Sequence, residues 1–233
     1  MGTPRSIDEI IERQVRLWEL SRKRSTAKTR ERHPVVTVSR QFGARGAAIA
    51  RIVADRLGYA RWDREVLEAI ARDADAPASL YAALDEHRKQ LINERIAVLA
   101  TGRHVTADDY HARLLRVLHT IEGHGHSVVV GRGAECVLDP RATLRVRVVC
   151  PLDARVSRLA ERRGIAEPAA RDLVTAADAD RRDFVREHYG RDVDDATGYD
   201  LVLNIEQLRV DQAADLVVRA HELRFGTAGA GDE

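Results

Sequence analysis

The sequence predicts an α/β fold: an open parallel sheet of five strands flanked by helices, with a helical insertion and a lid. Three observations carry this expectation. Short, mostly continuous apolar runs recur at 35–38, 59–62, 127–130, 144–149 and 201–203, as strands covered on both faces require. Helical patterns alternate with them, which favours a parallel sheet. The first run also passes through a glycine-containing turn straight into an amphipathic helix. That is the layout of a phosphate-binding loop, in which backbone N–H groups and the positive end of a helix converge on an anion.

Taken in order, the chain opens with Ile7, Ile10, Ile11, Val15 and Trp18 at helical spacing, followed by a polar run to His33. Residues 1–33 read as an amphipathic helix and linker, a candidate homodimer surface and, being short and flanked by both charge signs, not a membrane anchor. The main domain spans 34–225. Its first strand is followed by a stripe of Ile49, Ile52, Val53 and Leu57 closed by Gly58. Between the second and third strands, 64–125 is too long for a plain crossover and is helically patterned, with Leu114, Leu115, Leu118 and Ile121 on one stripe. It reads as the insertion that holds an acceptor. A second helical stretch, 155–189, is rich in arginine and reads as the lid. The Gly/Ala/Asp/Glu segment 226–233 reads as a disordered tail.

The composition bounds what the chain can recognise. With 233 residues, 44% hydrophobic and 32% charged, it has the make-up of a soluble globular protein with one sizeable core. A formal net charge of +1 gives no broad basic field, so no nucleic-acid partner is expected and any anion is recognised locally. Only Lys23, Lys28 and Lys89 are lysines, none near the glycine turn. Cys136 and Cys150 form no C-x-x-C, and neither a secretory signal nor an apolar run of membrane length is present. A cytoplasmic protein without a metal centre is expected, with the cysteines as small core residues and His124 and His126 as polar loop residues.

Ligands of open α/β sheets gather at the carboxyl ends of the strands, and the residues there make the candidate site. After the first strand come Ser39, Arg40 and the turn Gly43, Ala44, Arg45 and Gly46, continuing into Ala47 and Ala48. The rule string G-x-x-x-x-G-K-[ST] is not met, because Gly46, Ala47 and Ala48 stand where the lysine and hydroxyl residue are expected, so Arg40 or Arg45 has to supply the charge. Asp63 follows the second strand, and Gly131-Arg132-Gly133 follows the third, presenting a planar cation suited to bidentate phosphate contact. Arg158, Asp178 and Arg181 lie in the arginine-rich stretch.

The chain resembles the cytidylate kinase-like family, a branch of the P-loop nucleoside monophosphate kinases. The resemblance runs from about residue 34 to 220. It rests on Val36-Thr-Val-Ser-Arg-Gln-Phe-Gly-Ala-Arg-Gly-Ala-Ala-Ile-Ala, Leu57-Gly-Tyr-Ala-Arg-Trp-Asp-Arg-Glu, Val130-Gly-Arg-Gly-Ala, the 155–163 stretch and Tyr199-Asp-Leu-Val-Leu-Asn204. It implies ATP with Mg²⁺ as donor, a nucleoside monophosphate, CMP or dCMP, as acceptor, and a lid that closes over both. By position, Gly43 to Ala48 wrap the donor phosphates and Asp63 lies on the acceptor side. Arg132 faces the acceptor phosphate, and Arg158, Asp178 and Arg181 match the lid. Catalytic charge stabilisation falls to Arg132, Arg158 and Arg181. Two departures stand out: glycine in place of the loop lysine, typical of this branch, and Gly133 where cytidylate kinases carry an aspartate. A nucleotide-binding sensor or partner-binding protein with weak or no turnover is the alternative these departures leave open.

Overall fold

The computed structural model describes residues 34–72 and 110–226, with isolated positions 9, 16, 81, 84, 89 and 90. The expected N-terminal helix, linker and dimer surface, the middle of the insertion and the tail beyond Gly226 lie outside the described residues. Among those described, five strands form one all-parallel sheet in the order β2-β3-β1-β4-β5. They are β1 Val35–Arg40, β2 Ala60–Trp62, β3 Ser127–Val130, β4 Thr143–Val149 and β5 Leu201–Asn204. Each coincides with one of the five apolar runs of the sequence. The order reverses at β1, which is paired with β3 on one side and β4 on the other. A crevice therefore opens where the chain leaves β1 and β3.

The helices are α1 Gly46–Leu57, α2 Arg64–Arg72, α3 Tyr110–His124, α4 Ala134–Val137, α5 Leu152–Arg163, α6 Glu167–Tyr189 and α7 Val210–Phe225. The period-two alternation of each strand sends side chains to opposite faces of the sheet. On one face Val36, Val38, Val128, Val130, Leu144, Val146 and Val148 pack against Ile49, Ala50 and Val53 of α1 and Ala213, Ala214 and Val217 of α7. On the other, Val35, Trp62 and Val129 meet Leu67 and Ile70 of α2 and Leu114, Val117, Leu118 and Ile121 of α3. Complete burial of a side chain of this size stabilises by about 1.5–3 kcal/mol. Gly58 ends α1 in the left-handed conformation, φ 66°, as its place after the stripe requires.

A third, smaller cluster joins α5 and α6 through Val156, Leu159, Ala160, Ala170 and Val174, and Phe42 of the glycine turn packs into it. This helical hairpin rests directly on the turn. His124 and His126 depart from the expectation of polar loop residues: both are buried, and His126 sits edge-on to Tyr59 at 5.4 Å between ring centroids. His124 closes α3, and His126 precedes β3 with its N–H donating to the Pro34 carbonyl at 2.8 Å. No described helix is long and apolar enough to cross a membrane.

Candidate active site

The turn after β1 is built by backbone conformation. Gly43 has φ 81°, and Arg45, the residue preceding α1, has φ 54°. Arg45 leaves α1 without a side-chain cap. Ala48 N–H donates to the Arg45 carbonyl at 3.0 Å, which leaves the Gly46 and Ala47 N–H groups without a side-chain cap at the end where the helix dipole favours negative charge. An acidic oxygen already serves one donor of this turn: Phe42 N–H donates to Asp178 Oδ1 at 2.6 Å. The other Asp178 oxygen pairs with Arg155 at 2.5 Å. Arg155 in turn donates from Nη1 to the Phe42 carbonyl at 3.0 Å and from Nε to the Cys150 carbonyl at 2.8 Å. The donor set fits phosphate oxygens. It does not fit a protein-held Mg²⁺, because Ala47 and Ala48 bring no oxygen and no three His, Cys, Asp or Glu side chains converge among the described residues.

Beside the turn lies a cleft of about 130 Å³, lined by five arginines, Arg40, Arg64, Arg132, Arg147 and Arg181, with Ser39, Gly131, Gly133, Glu135, Asp180, Phe184, Val185 and Val193. Successive segments aim these side chains. Residues at three-residue spacing on α6, Asp178, Arg181 and Phe184, lie along one helical stripe. Arg132 is the middle of three consecutive left-handed residues, with φ 80°, 58° and 67° at 131, 132 and 133. A non-glycine residue is strained in this region, and Tyr189 clamps it, its hydroxyl donating to the Arg132 carbonyl at 2.9 Å. The guanidinium of Arg132 lies 4.5 Å over the Phe184 ring and pairs with Glu68. Glu68 also accepts from Arg64 Nε at 2.6 Å. Arg181 donates to the Arg40 carbonyl at 3.1 Å and stands 3.8 Å from Asp178.

Beneath the cleft floor, Arg147 donates to Ser39 Oγ at 2.9 Å and to Asp194 Oδ1 at 2.7 Å. The Glu135 carboxyl is buried with them, and burial raises its pKa while one of its oxygens has no partner. Crowding acts on the cations in the opposite sense. Burial, reinforced by Arg64 and Arg40, pushes Arg132 down to about 10. Burial and Arg40 push Arg181 down to about 10. Both remain charged at pH 7, so the cleft holds mutually repelling cations that an anion would relieve.

The structure brings Ser39, Arg40, Arg132 and Arg181 together, and places Gly43 to Ala48 as the turn and helix start beside them. It does not bring Asp63, Arg158 or Asp178 into the lining. Asp63 pairs with Arg61 at 2.9 Å, Arg158 points to Cys150 Sγ at 3.3 Å, and Asp178 is engaged on the turn. Sequence reasoning missed Arg64, Glu135, Arg147 and Phe184. The alternation of Arg145 and Arg147 through an otherwise apolar strand and the three-residue step from Arg181 to Phe184 were the available signals.

A family model for the cytidylate kinase-like family matches residues 35–207. The chain belongs to this family. It is 26% identical over 190 residues to a cytidylate kinase from Halobacterium salinarum, covering 80% of this chain and 88% of that one. It is also 29% identical over 173 residues to a uronate isomerase from Corynebacterium glutamicum, across 72% of this chain but only 28% of that one. The crystal structure of an uncharacterized protein from Eubacterium ventriosum shares the fold, with a TM-score of 0.65 at 21% identity over 82% of this chain and 99% of that chain. The glycines that stand at the expected lysine and aspartate positions are each crowded by a side chain. A Cβ on Gly133 would lie 2.0 Å from Tyr189 Cε2, so the Tyr189 ring occupies the room an aspartate needs. A Cβ on Gly46 would lie 2.6 Å from Arg40 Cβ.

Proposed function

We propose that the protein transfers the terminal phosphoryl group of ATP to a nucleoside monophosphate, CMP or dCMP, in the cytoplasm. The observation that carries this reading is the meeting of an uncapped helix start with a cleft of crowded arginines, two anion sites side by side at the reversal point of a parallel sheet. The acceptor phosphate oxygen is already ionised at neutral pH and needs no strong base. It forms the new bond to the γ-phosphorus as the bond from that phosphorus to the bridging oxygen breaks, and the electron pair leaves on ADP. Total charge is conserved and no proton moves.

Each segment of the chain has a part in this. The backbone of residues 43 to 48 holds the donor phosphates. Arg132, strained and fixed by Tyr189 and Phe184, orients the acceptor phosphate, and Arg181 from α6 meets the charge that spreads over the transferring group. Mg²⁺ would be held by the nucleotide and not by the turn, whose Ala47 and Ala48 offer it no side-chain ligand, and would supply charge neutralisation.

Phosphorylation measured across a panel of nucleoside monophosphates with ATP and Mg²⁺, beside ATP binding on the same preparation, tests the proposal. Turnover with CMP or dCMP above the other acceptors is expected. ATP binding without turnover on any acceptor would replace it with the nucleotide-binding sensor.

A further inference from the structure

We propose that Arg40 is the cation of the phosphate-binding turn, reaching it from the end of β1, and that residue 46 is glycine because the Arg40 side chain runs through the space above it. The inference rests on the phosphoryl-transfer reading and names the residue that takes over from the missing lysine.

Two close approaches fix the path of the side chain. At its root, Arg40 Cβ and Cγ lie 2.6 and 3.0 Å from where a Cβ on Gly46 would stand, in the first turn of α1. At its tip, Nη1 lies 2.1 Å from where a Cβ on Gly131 would stand, at the end of β3. The side chain therefore spans from the donor turn to the acceptor mouth, passing two positions where any residue but glycine would obstruct it. A lysine at residue 46 would have to begin inside Arg40. The two solutions exclude each other sterically.

Charge pairing separates Arg40 from its neighbours. Arg64 and Arg132 share Glu68, Arg147 is held by Asp194 and Arg181 stands near Asp178. Among the described residues Arg40 alone of the five lining arginines has no carboxylate within ion-pairing distance; its interactions with Glu65, Glu135 and Asp63 are longer-range. A partly buried guanidinium without a counter-ion is costly unless a ligand supplies one. Its place between the two anion sites is where negative charge spreads as the phosphoryl group moves. Arg45, the other cation of the turn, is exposed to solvent and lies outside the cleft lining.

The test compares Arg40→Met, Arg40→Lys, Gly46→Ala and Arg45→Ala for turnover and, independently of turnover, for affinity toward inorganic tripolyphosphate by calorimetry. Far-ultraviolet circular dichroism confirms that each variant is folded. Arg40→Met should lower kcat on the order of 10²-fold or more and weaken tripolyphosphate about tenfold, with the acceptor KM within about threefold. Arg40→Lys should recover part of both losses, and Arg45→Ala should cost less in both than Arg40→Met. Gly46→Ala should reproduce Arg40→Met, and the double variant Arg40→Met/Gly46→Ala should be no worse than either single one, because both remove the same contact. A kcat for Arg40→Met within threefold of wild type, or a loss carried by Arg45→Ala instead, would overturn the assignment. Were the wild-type protein to phosphorylate no acceptor, the proposed function would fail on its own. Tripolyphosphate affinity would then decide Arg40 alone: a tenfold loss in Arg40→Met upholds it and an unchanged affinity removes it.

Discussion

The two faces of the sheet are made from the same strands and solve different problems. Toward α1 and α7, β1 and β4 present Val36, Val38, Leu144, Val146 and Val148, an apolar layer. On the opposite face, where Val35 joins the second apolar cluster under α2 and α3, the same two strands also present Thr37, Ser39, Thr143 and Arg147, all buried. A buried polar group without a partner costs about 1–3 kcal/mol, and the hydroxyls of Thr37 and Thr143, Nε of Arg147 and an oxygen of Glu135 have none. The apolar face is built for stability. The polar face gives some of it up to hold charge at the carboxyl ends of the strands, where a ligand arrives.

The comparison can be broken by substitution on each side. The largest effect belongs to the polar face: Arg132→Ala should lower kcat/KM for the acceptor on the order of 10²–10³-fold, about 3–4 kcal/mol of transition-state stabilisation. Its unfolding free energy from urea denaturation should change by less than about 1 kcal/mol, because Glu68 keeps Arg64 and one repelling cation is gone. Unchanged kinetics would remove Arg132 from the mechanism. On the apolar face Val53→Ala, at a fully buried position, should show the converse. About 2 kcal/mol of unfolding free energy should go, with kcat within about twofold below the new melting transition. A large kinetic defect there would mean that the faces are coupled.

A third effect, no larger than the last, probes a polar insertion in the apolar face. His221 lies at 3.0 Å from the Tyr59 hydroxyl, and burial, aided by His126, lowers its pKa to about 4. The folded protein keeps this ring neutral while the unfolded chain protonates it near 6.5. The stability it contributes is whole above that value and drains away as pH falls toward 4. Between pH 7 and 5 the wild type should lose about 2 kcal/mol more than His221→Gln, measured by urea unfolding at both pH values. Equal losses in the two proteins would place the titrating group elsewhere.

Much of this was legible along the chain because it depends on local periodicity. The five strands, the α1 stripe closed by Gly58 and the glycine turn follow from residue spacing and backbone preference, and they were placed to within a residue or two. The dry face was equally readable, since its valines alternate. The polar face was only half so. Ser39, Arg40, Arg132 and Arg181 could be found because each follows a strand or sits in a marked segment. Arg147 and Phe184 left only a faint trace in the spacing and Glu135 none, because what matters about them is which distant residues they meet. Asp178 shows the same limit from the other side, since its sequence position marks it for the substrate while the fold assigns it to the Phe42 N–H.

By itself, then, the sequence determined the fold class, the glycine turn between β1 and α1 and the absence of a loop lysine, all of which are properties of neighbours in the chain. Only the tertiary structure decided which side chains fill the space beside Gly46 and Gly133. Gly46 and Gly133 read as losses in one dimension, yet in three the space beside each is filled by Arg40 and Tyr189. Excluded volume between residues far apart in sequence has no signature in local pattern, and a side chain six residues or fifty-six residues away settles it only once the strands have brought them together.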